Sequence, residues 1–381
     1  MAAGDIGATI ETVEVDANLA FPRILHIAGD VYAIVYRGAD SDGFIKTYSI
    51  DATGDISAAA LSTLEFDTNR AGSPTICHIS GDHYAIAYED AGGDGRIKTL
   101  HISDAGVINP AIIDNQLFSP DVGGLPHMVK VAANVFLSAF TYTTSKLWVR
   151  SIGINDEGTI TNLNVSDLEV DTNASLWPRL AHIAEDIFAI CYYHNAGQGR
   201  LFTVSCNAAG AIAACAGGSV EFEDTLAFKP EPVKTVGGKY AIVYQGPDNH
   251  GFLKTWEIGA AGAITDPPKE IYEFDNAWGE YPVIKSIGGE WYAIAYENVA
   301  SHGNIRTIEI KNDGDITTPY HAEGEFYAQA NASKDAIQIN NSVFAVVYSG
   351  SGAEGFITTK AIEGVITAER RPSEMMMMGM Q

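Results

Sequence analysis

The chain has 381 residues, with 48 acidic against 23 basic side chains and a formal net charge of −25. Such a field repels phosphate backbones and anionic bilayers, so nucleic-acid binding is not expected. Hydrophobic residues make up 46% of the chain, with 38 Gly, 15 Phe and 17 Tyr, a mix that suits many short strands and tight turns, and no apolar run reaches the length of a membrane span.

The segment Met1-Ala2-Ala3-Gly4-Asp5 has neither a basic start nor an apolar core, so no secretory signal is expected. The expected location is a virion or extracellular surface reached without a conventional signal peptide, or otherwise the cytoplasm. Next comes Thr12-Val13-Glu14-Val15-Asp16, an isolated strand pattern that matches Leu64-Glu65-Phe66-Asp67 with a one-residue slip.

From there the chain repeats. Tyr32-Ala33-Ile34-Val35-Tyr36 has copies starting at Tyr84, Phe136, Phe188, Tyr240, Tyr292 and Phe344, each 52 residues after the last, the mark of one supersecondary unit copied around an architecture. Each unit opens on a proline (Pro22, Pro74, Pro126, Pro178, Pro230, Pro282), replaced in the seventh by Lys334. A short apolar strand follows, then a two-residue turn such as Gly29-Asp30, whose chemistry fits a primed hairpin turn. The Tyr32 strand and its copies are apolar on both faces, bulky at Tyr32, Ile34 and Tyr36 and small at Ala33 and Val35. A sheet large on one face and small on the other can stack on copies of itself. A loop then ends in Gly43 or its copies, except at Leu147 in the third unit, and the third strand carries Thr47, Thr99, Thr203, Thr255, Thr307 and Thr359. A turn with Gly54 or its copies, where a left-handed conformation fits, leads to the fourth strand.

First strands number seven and fourth strands at the 52-residue spacing only six, so a strand at about 9–16 is expected to complete the last unit and remove its open edge. Residues 8 to 366 thus resemble a seven-bladed β-propeller: all-β, four-stranded blades, the final blade shared between the two ends of the repeat region. Residues 1–368 are read as one propeller and 369–381 as a Met-rich tail. There is no recurrent Trp-Asp pair, kelch double glycine or sialidase Asp-box; in style the repeat is similar to unassigned propeller repeats of viral and environmental proteins.

Function is less legible. Propellers of this kind bind on the face formed by the second-to-third and fourth-to-first loops. Here those loops carry Asp40, Asp42, Asp90, Asp94, Asp248 and His250 on one set, and Trp177, Trp278 and Tyr281 on the other. Aromatic rings beside carboxylates suit sugars, while ordinary solvated loops would show the same residues. On the inner strand, one column reads His26, His78, Lys130, His182, Lys234, Ser286, Gln338: a polar ring holding an anion or metal, or simply the wall of a wet tunnel. Lys46, Lys98, Arg150, Lys254 and Arg306 are expected to pair across strands with Glu65, Glu169, Glu221, Glu273 and Glu325. Cys77 and Cys191 read as core; Cys206 and Cys215 either pair across the hairpin at Gly210 or stay reduced.

No catalytic residue, metal site or cofactor is assigned. The expected role is a non-catalytic structural or adhesion protein of a large assembly, a virus or phage particle, with Met375, Met376, Met377, Met378 and Met380 as an anchor to protein partners and the loop face turned to host glycan or protein. The alternatives are a free lectin-like propeller, or a polysaccharide hydrolase or lyase using Asp40, Asp94 and Asp248.

Overall fold

The computed structural model describes residues 2–142, 145–173, 175–329 and 333–363. The expected anchor, Met375 to Met380, lies outside them. Among the described residues, seven four-stranded antiparallel sheets form a closed ring, a seven-bladed β-propeller. Blade one is Ala20–Ala28, Val31–Arg37, Gly43–Ser49 and Ser62–Asp67, from axis to rim. The inner strands of the next six blades are Gly72–Ser80, Gly124–Ala132, Ser175–Ala184, Phe228–Lys234, Glu280–Gly288 and Lys334–Asn340.

The strand Ile6–Asp16 pairs with Gly355–Ile362 and supplies the outer strand of blade seven. Its register carries the one-residue slip: Glu14 lies opposite Phe356 as Glu65 lies opposite Phe44.

Stacking follows the large and small faces. Tyr32, Ile34 and Tyr36 pack with Ala345 and Val347 of blade seven, while Ala33 and Val35 pack with Tyr84, Ile86 and Tyr88 of blade two. Each seam is also fastened by a hydroxyl on the third strand that donates to a turn carbonyl of the next blade, in bonds of 2.5–2.7 Å: Thr47 to Gly106, Thr99 to Gly158, Thr203 to Gly262 and Thr255 to Gly314. Ser151 fills the third position and bonds Gly210. Thr307 reaches Gly4 and Thr359 reaches Gly54, so the same bond closes the ring.

The glycine before each third strand answers a steric demand. A Cβ on Gly43, Gly199 or Gly251 would stand 2.3–2.5 Å from the ring of Phe66, Phe222 or Phe274 of the outer strand. Blade three breaks both columns together: Leu147 replaces the glycine where Val170 replaces the phenylalanine, and the two sit in one core cluster.

The expected ion pairing needs correction. Glu65 lies opposite Phe44, and Lys46 opposite Thr63, so the lysine is out of register with the glutamate. Lys46 instead crosses to the preceding blade, 2.8 Å from Asp16, and Lys98, Lys254 and Arg306 likewise reach Asp67, Glu223 and Asp275. The same acids accept hydrogen bonds from Tyr36, Tyr88, Tyr244 and Tyr296. Of the Glu column, Glu169 pairs with Lys146, Glu221 with Arg200, Glu273 with His250 and Glu325 with His302. All four cysteines are free thiols.

Candidate functional site

Six inner strands begin with the same irregularity. In blade one the pairing steps from Ala20–Arg37 to Arg23–Val35, which leaves one residue extra on the inner strand, a β-bulge. The residue before the proline takes a left-handed φ in every such blade: Phe21 (52°), Ser73 (46°), Leu125 (52°), Trp177 (56°), Lys229 (47°) and Tyr281 (50°). A pre-proline residue ordinarily adopts extended backbone, and bulky side chains avoid positive φ, so each position stores strain of about 1–3 kcal/mol. Bulges re-aim side chains, and these six are turned into the mouth of the axial channel, on the loop face. Blade seven has no proline there, and Lys334 pairs with Tyr348 and Asp335 with Val347 in regular register.

The mouth closes over a cavity of about 50 Å³ whose charged lining is Arg23, Arg179, Lys229, Glu231 and Lys334. Around its rim, Phe21 stacks on Trp177 with centroids 6.3 Å apart, and Trp177, Phe228 and Tyr281 follow edge to face. The Lys229 ammonium sits in this aromatic ring, 4.0 Å from the Tyr281 centroid and 4.5 Å from that of Trp177. Burial, followed by the nearby Lys334, Arg179 and Arg23, pulls its pKa down to about 7. Burial also pulls Lys334 down to about 7, against the opposing pull of Glu297 and Glu280.

Below the mouth, side chains from five blades form an arc of alternating charge. Arg179 Nε is 3.1 Å from Glu231, Lys285 Nζ lies 3.7 Å from Glu231 and 3.3 Å from Asp335, and Arg23 is 3.8 Å from Asp335. Burial works against the charge on Glu231, but Lys285, Arg179 and Arg23 outweigh it and hold the carboxyl below its usual range. Burial likewise opposes charge on Lys285, and Asp335 and Glu231 outweigh that, raising its pKa. His127, from blade three, stands in the gap of the arc. Burial, then Arg179, Arg23 and Lys285, push its pKa well below the usual value, so the ring is neutral. Its Nδ1 accepts the Leu180 N–H at 3.1 Å, which puts the ring proton on Nε2.

The sequence-selected residues divide by position. Trp177 and Tyr281 come together at the mouth. Trp278 is half-buried nearby in sequence, its backbone N–H donating to the Asp275 carboxylate. Asp90 is buried, accepts from the N–H groups of Gly92 and Asp94 and pairs with Arg96, so it holds its own loop. Asp94 is half-buried in the same loop. Asp40 and Asp248 occupy equivalent exposed positions of short 3₁₀ turns in blades one and five, at φ 53° and 57°. Asp42 closes the first of these turns, and His250 follows the second and pairs with Glu273.

The column from His26 to Gln338 lies toward the hairpin end, away from the mouth. His26, His78 and His182 bond the carbonyls of Gly29, Gly81 and Glu185 in their own turns and lie 5.0–5.1 Å from Tyr32, Tyr84 and Phe188. Lys130 and Lys234 donate to Ile79 and Ile183 of the preceding blade. Sequence reasoning passed over the axial charges three residues upstream. Their signal is variability: beside a proline repeated six times, that column reads Arg23, Thr75, His127, Arg179, Glu231, Val283, Asp335.

No family model matches the chain, and no curated protein matches its sequence. Among solved structures the chain is similar to BBS1N in complex with ARL6DN. The TM-scores are 0.58 in mercury-soaked and 0.56 in lead-soaked crystals, at 10% identity, over 97% of this chain and 99–100% of that one. It is also similar to a protein of unknown function from Dyadobacter fermentans DSM 18053, with a TM-score of 0.55 and 9% identity over 93% of this chain and 99% of that one. At these identities the likeness is one of fold.

Proposed function

We propose that the protein is a non-catalytic binding propeller, a structural or adhesion subunit of a larger assembly such as a virus or phage particle, whose loop face takes a host glycan at the axial mouth. The single observation that carries the reading is where the repeat breaks. The seams repeat their stacking faces and hydroxyl bonds around the ring, whereas the mouth and the arc below it draw a different residue from nearly every blade. A scaffold needs the repetition; recognition of one asymmetric ligand needs its interruption. Rigid aromatic rings around the Lys229 cation offer a sugar both apolar contact and a charged hydrogen-bond donor. A protein ligand is the second reading, supported by a fold neighbour that is crystallised with a protein partner.

A glycan array probed with the intact chain and with Trp177→Ala tests the proposal. Binding to a restricted set of glycans, lost in the variant, is the expected result; a blank array for the folded wild type overturns the glycan reading and leaves the protein ligand. The assembly role is tested by deleting residues 373–381, which is expected to abolish incorporation while leaving the propeller folded; normal incorporation removes the tail as anchor.

A further inference from the structure

We infer that the cavity beneath the aromatic mouth is a carboxylate site, in which Lys229, Arg23 and Arg179 receive the acidic group of a ligand whose remainder lies on the rings above. The inference rests on the proposed binding face for its direction of approach, and its chemistry stands on the cavity itself.

Charge balance is the first reason. The axial groups comprise five cations, Arg23, Arg179, Lys229, Lys285 and Lys334, against four carboxylates, Glu231, Glu280, Glu297 and Asp335. Four of the cations have carboxylates at hand: Arg179 and Lys285 share Glu231, Lys285 and Arg23 share Asp335, and Glu297 and Glu280 act on Lys334. Lys229 has aromatic contacts, and the one carboxylate named beside it, Glu280, acts on it less than Lys334, Arg179 and Arg23 do. Leaving an ammonium among three cations, in a chain with 48 acidic residues to choose from, is an arrangement that an incoming anion completes.

The second reason is the supply of donors. Two guanidiniums, of Arg23 and Arg179, and two lysine amines, of Lys229 and Lys334, line the cavity. Guanidiniums match planar carboxylates in two-point geometry.

Size is the third. At roughly 10–15 Å³ of such space per water, a cavity of about 50 Å³ has room for a few waters or for one carboxylate. The remainder of an acidic sugar then lies against Phe21, Trp177 and Tyr281, which line the same cavity.

The test is calorimetric titration of the intact protein, in a low-chloride buffer at pH 6.5, with sodium glucuronate, sodium acetate and glucose. Glucuronate and acetate are expected to bind at one site, glucuronate more tightly, and glucose not at all. Lys229→Met and Arg179→Met, each verified as folded by circular dichroism, are each expected to weaken glucuronate at least tenfold. Acetate binding without a gain for glucuronate identifies a site for small free carboxylates instead of acidic sugars. Absence of binding by both acids, or affinities unchanged in Lys229→Met, overturns the inference. Acid binding together with a blank glycan array removes the glycan reading and leaves the carboxylate site standing.

Discussion

Single side chains set the tolerances of this ring. Gly251 has the Phe274 ring 2.3 Å from where its Cβ would be, so Gly251→Val is expected to destabilise by about 2 kcal/mol or more, from overpacking. The pairing of Leu147 with Val170 shows the natural remedy, and Gly251→Val combined with Phe274→Val is expected to recover at least ~1 kcal/mol in a double-mutant cycle read by denaturant unfolding. At the seams, Thr203→Val keeps the shape but strands the buried Gly262 carbonyl, an expected loss of about 1–3 kcal/mol in the same measurement. Lys229 works in the opposite sense. Burial, with the neighbouring cations, holds its folded pKa at about 7, below the ordinary lysine value of 10.5, so the folded state resists protonation. The resulting destabilisation is complete below pH 7 and fades as pH rises toward 10.5. Lys229→Met is therefore expected to raise the Tm, by more at pH 6 than at pH 10; an equal rise at both would show that the amine is not held in a depressed state.

At the scale of strands, the bulge and the closing strand decide what the molecule is. Period and alternation announced the stacking sheets because burial on both faces leaves a plain mark, large residues and small ones in turn. The closing strand was legible by counting, and its slip was visible because Glu14 and Asp16 match Glu65 and Asp67 at a spacing of 51. The site was not legible in the same way. A bulge at Phe21-Pro22 shifts which side chains face the axis, and periodicity cannot announce an added residue, so in the sequence the column of His26 stands out and that of Arg23 does not. Lys46 does not meet Glu65 because that glutamate lies opposite Phe44, two residues away along the third strand, and the lysine crosses to Asp16 of the preceding blade. Removing residues 2–16 exposes Gly355–Ile362 and takes away the Thr307–Gly4 seam bond. The truncated chain is expected to melt at a lower temperature than the intact one and to self-associate, and a synthetic peptide of residues 2–16 is expected to restore the elution volume of the intact chain in size-exclusion chromatography.

The whole molecule combines a strongly anionic exterior with a cationic axis. A net charge of −25 makes the compact state repel itself, and salt screens that repulsion within about 10 Å at 0.1 M. The Tm is expected to rise from 10 to 150 mM sodium chloride, where a protein held together mainly by exposed ion pairs would show a fall. The long-range field also disfavours acidic ligands at a distance, so selection of one depends on the local cations at the mouth. The ring closure also has a consequence during biosynthesis. The segment Ile6–Asp16 leaves the ribosome first and its partner Gly355–Ile362 more than three hundred residues later, so at about 5–20 residues per second it waits tens of seconds without a mate. Glu11, Glu14 and Asp16, spaced along that segment, are charges of the kind that oppose strand pairing with neighbouring nascent chains in the meantime.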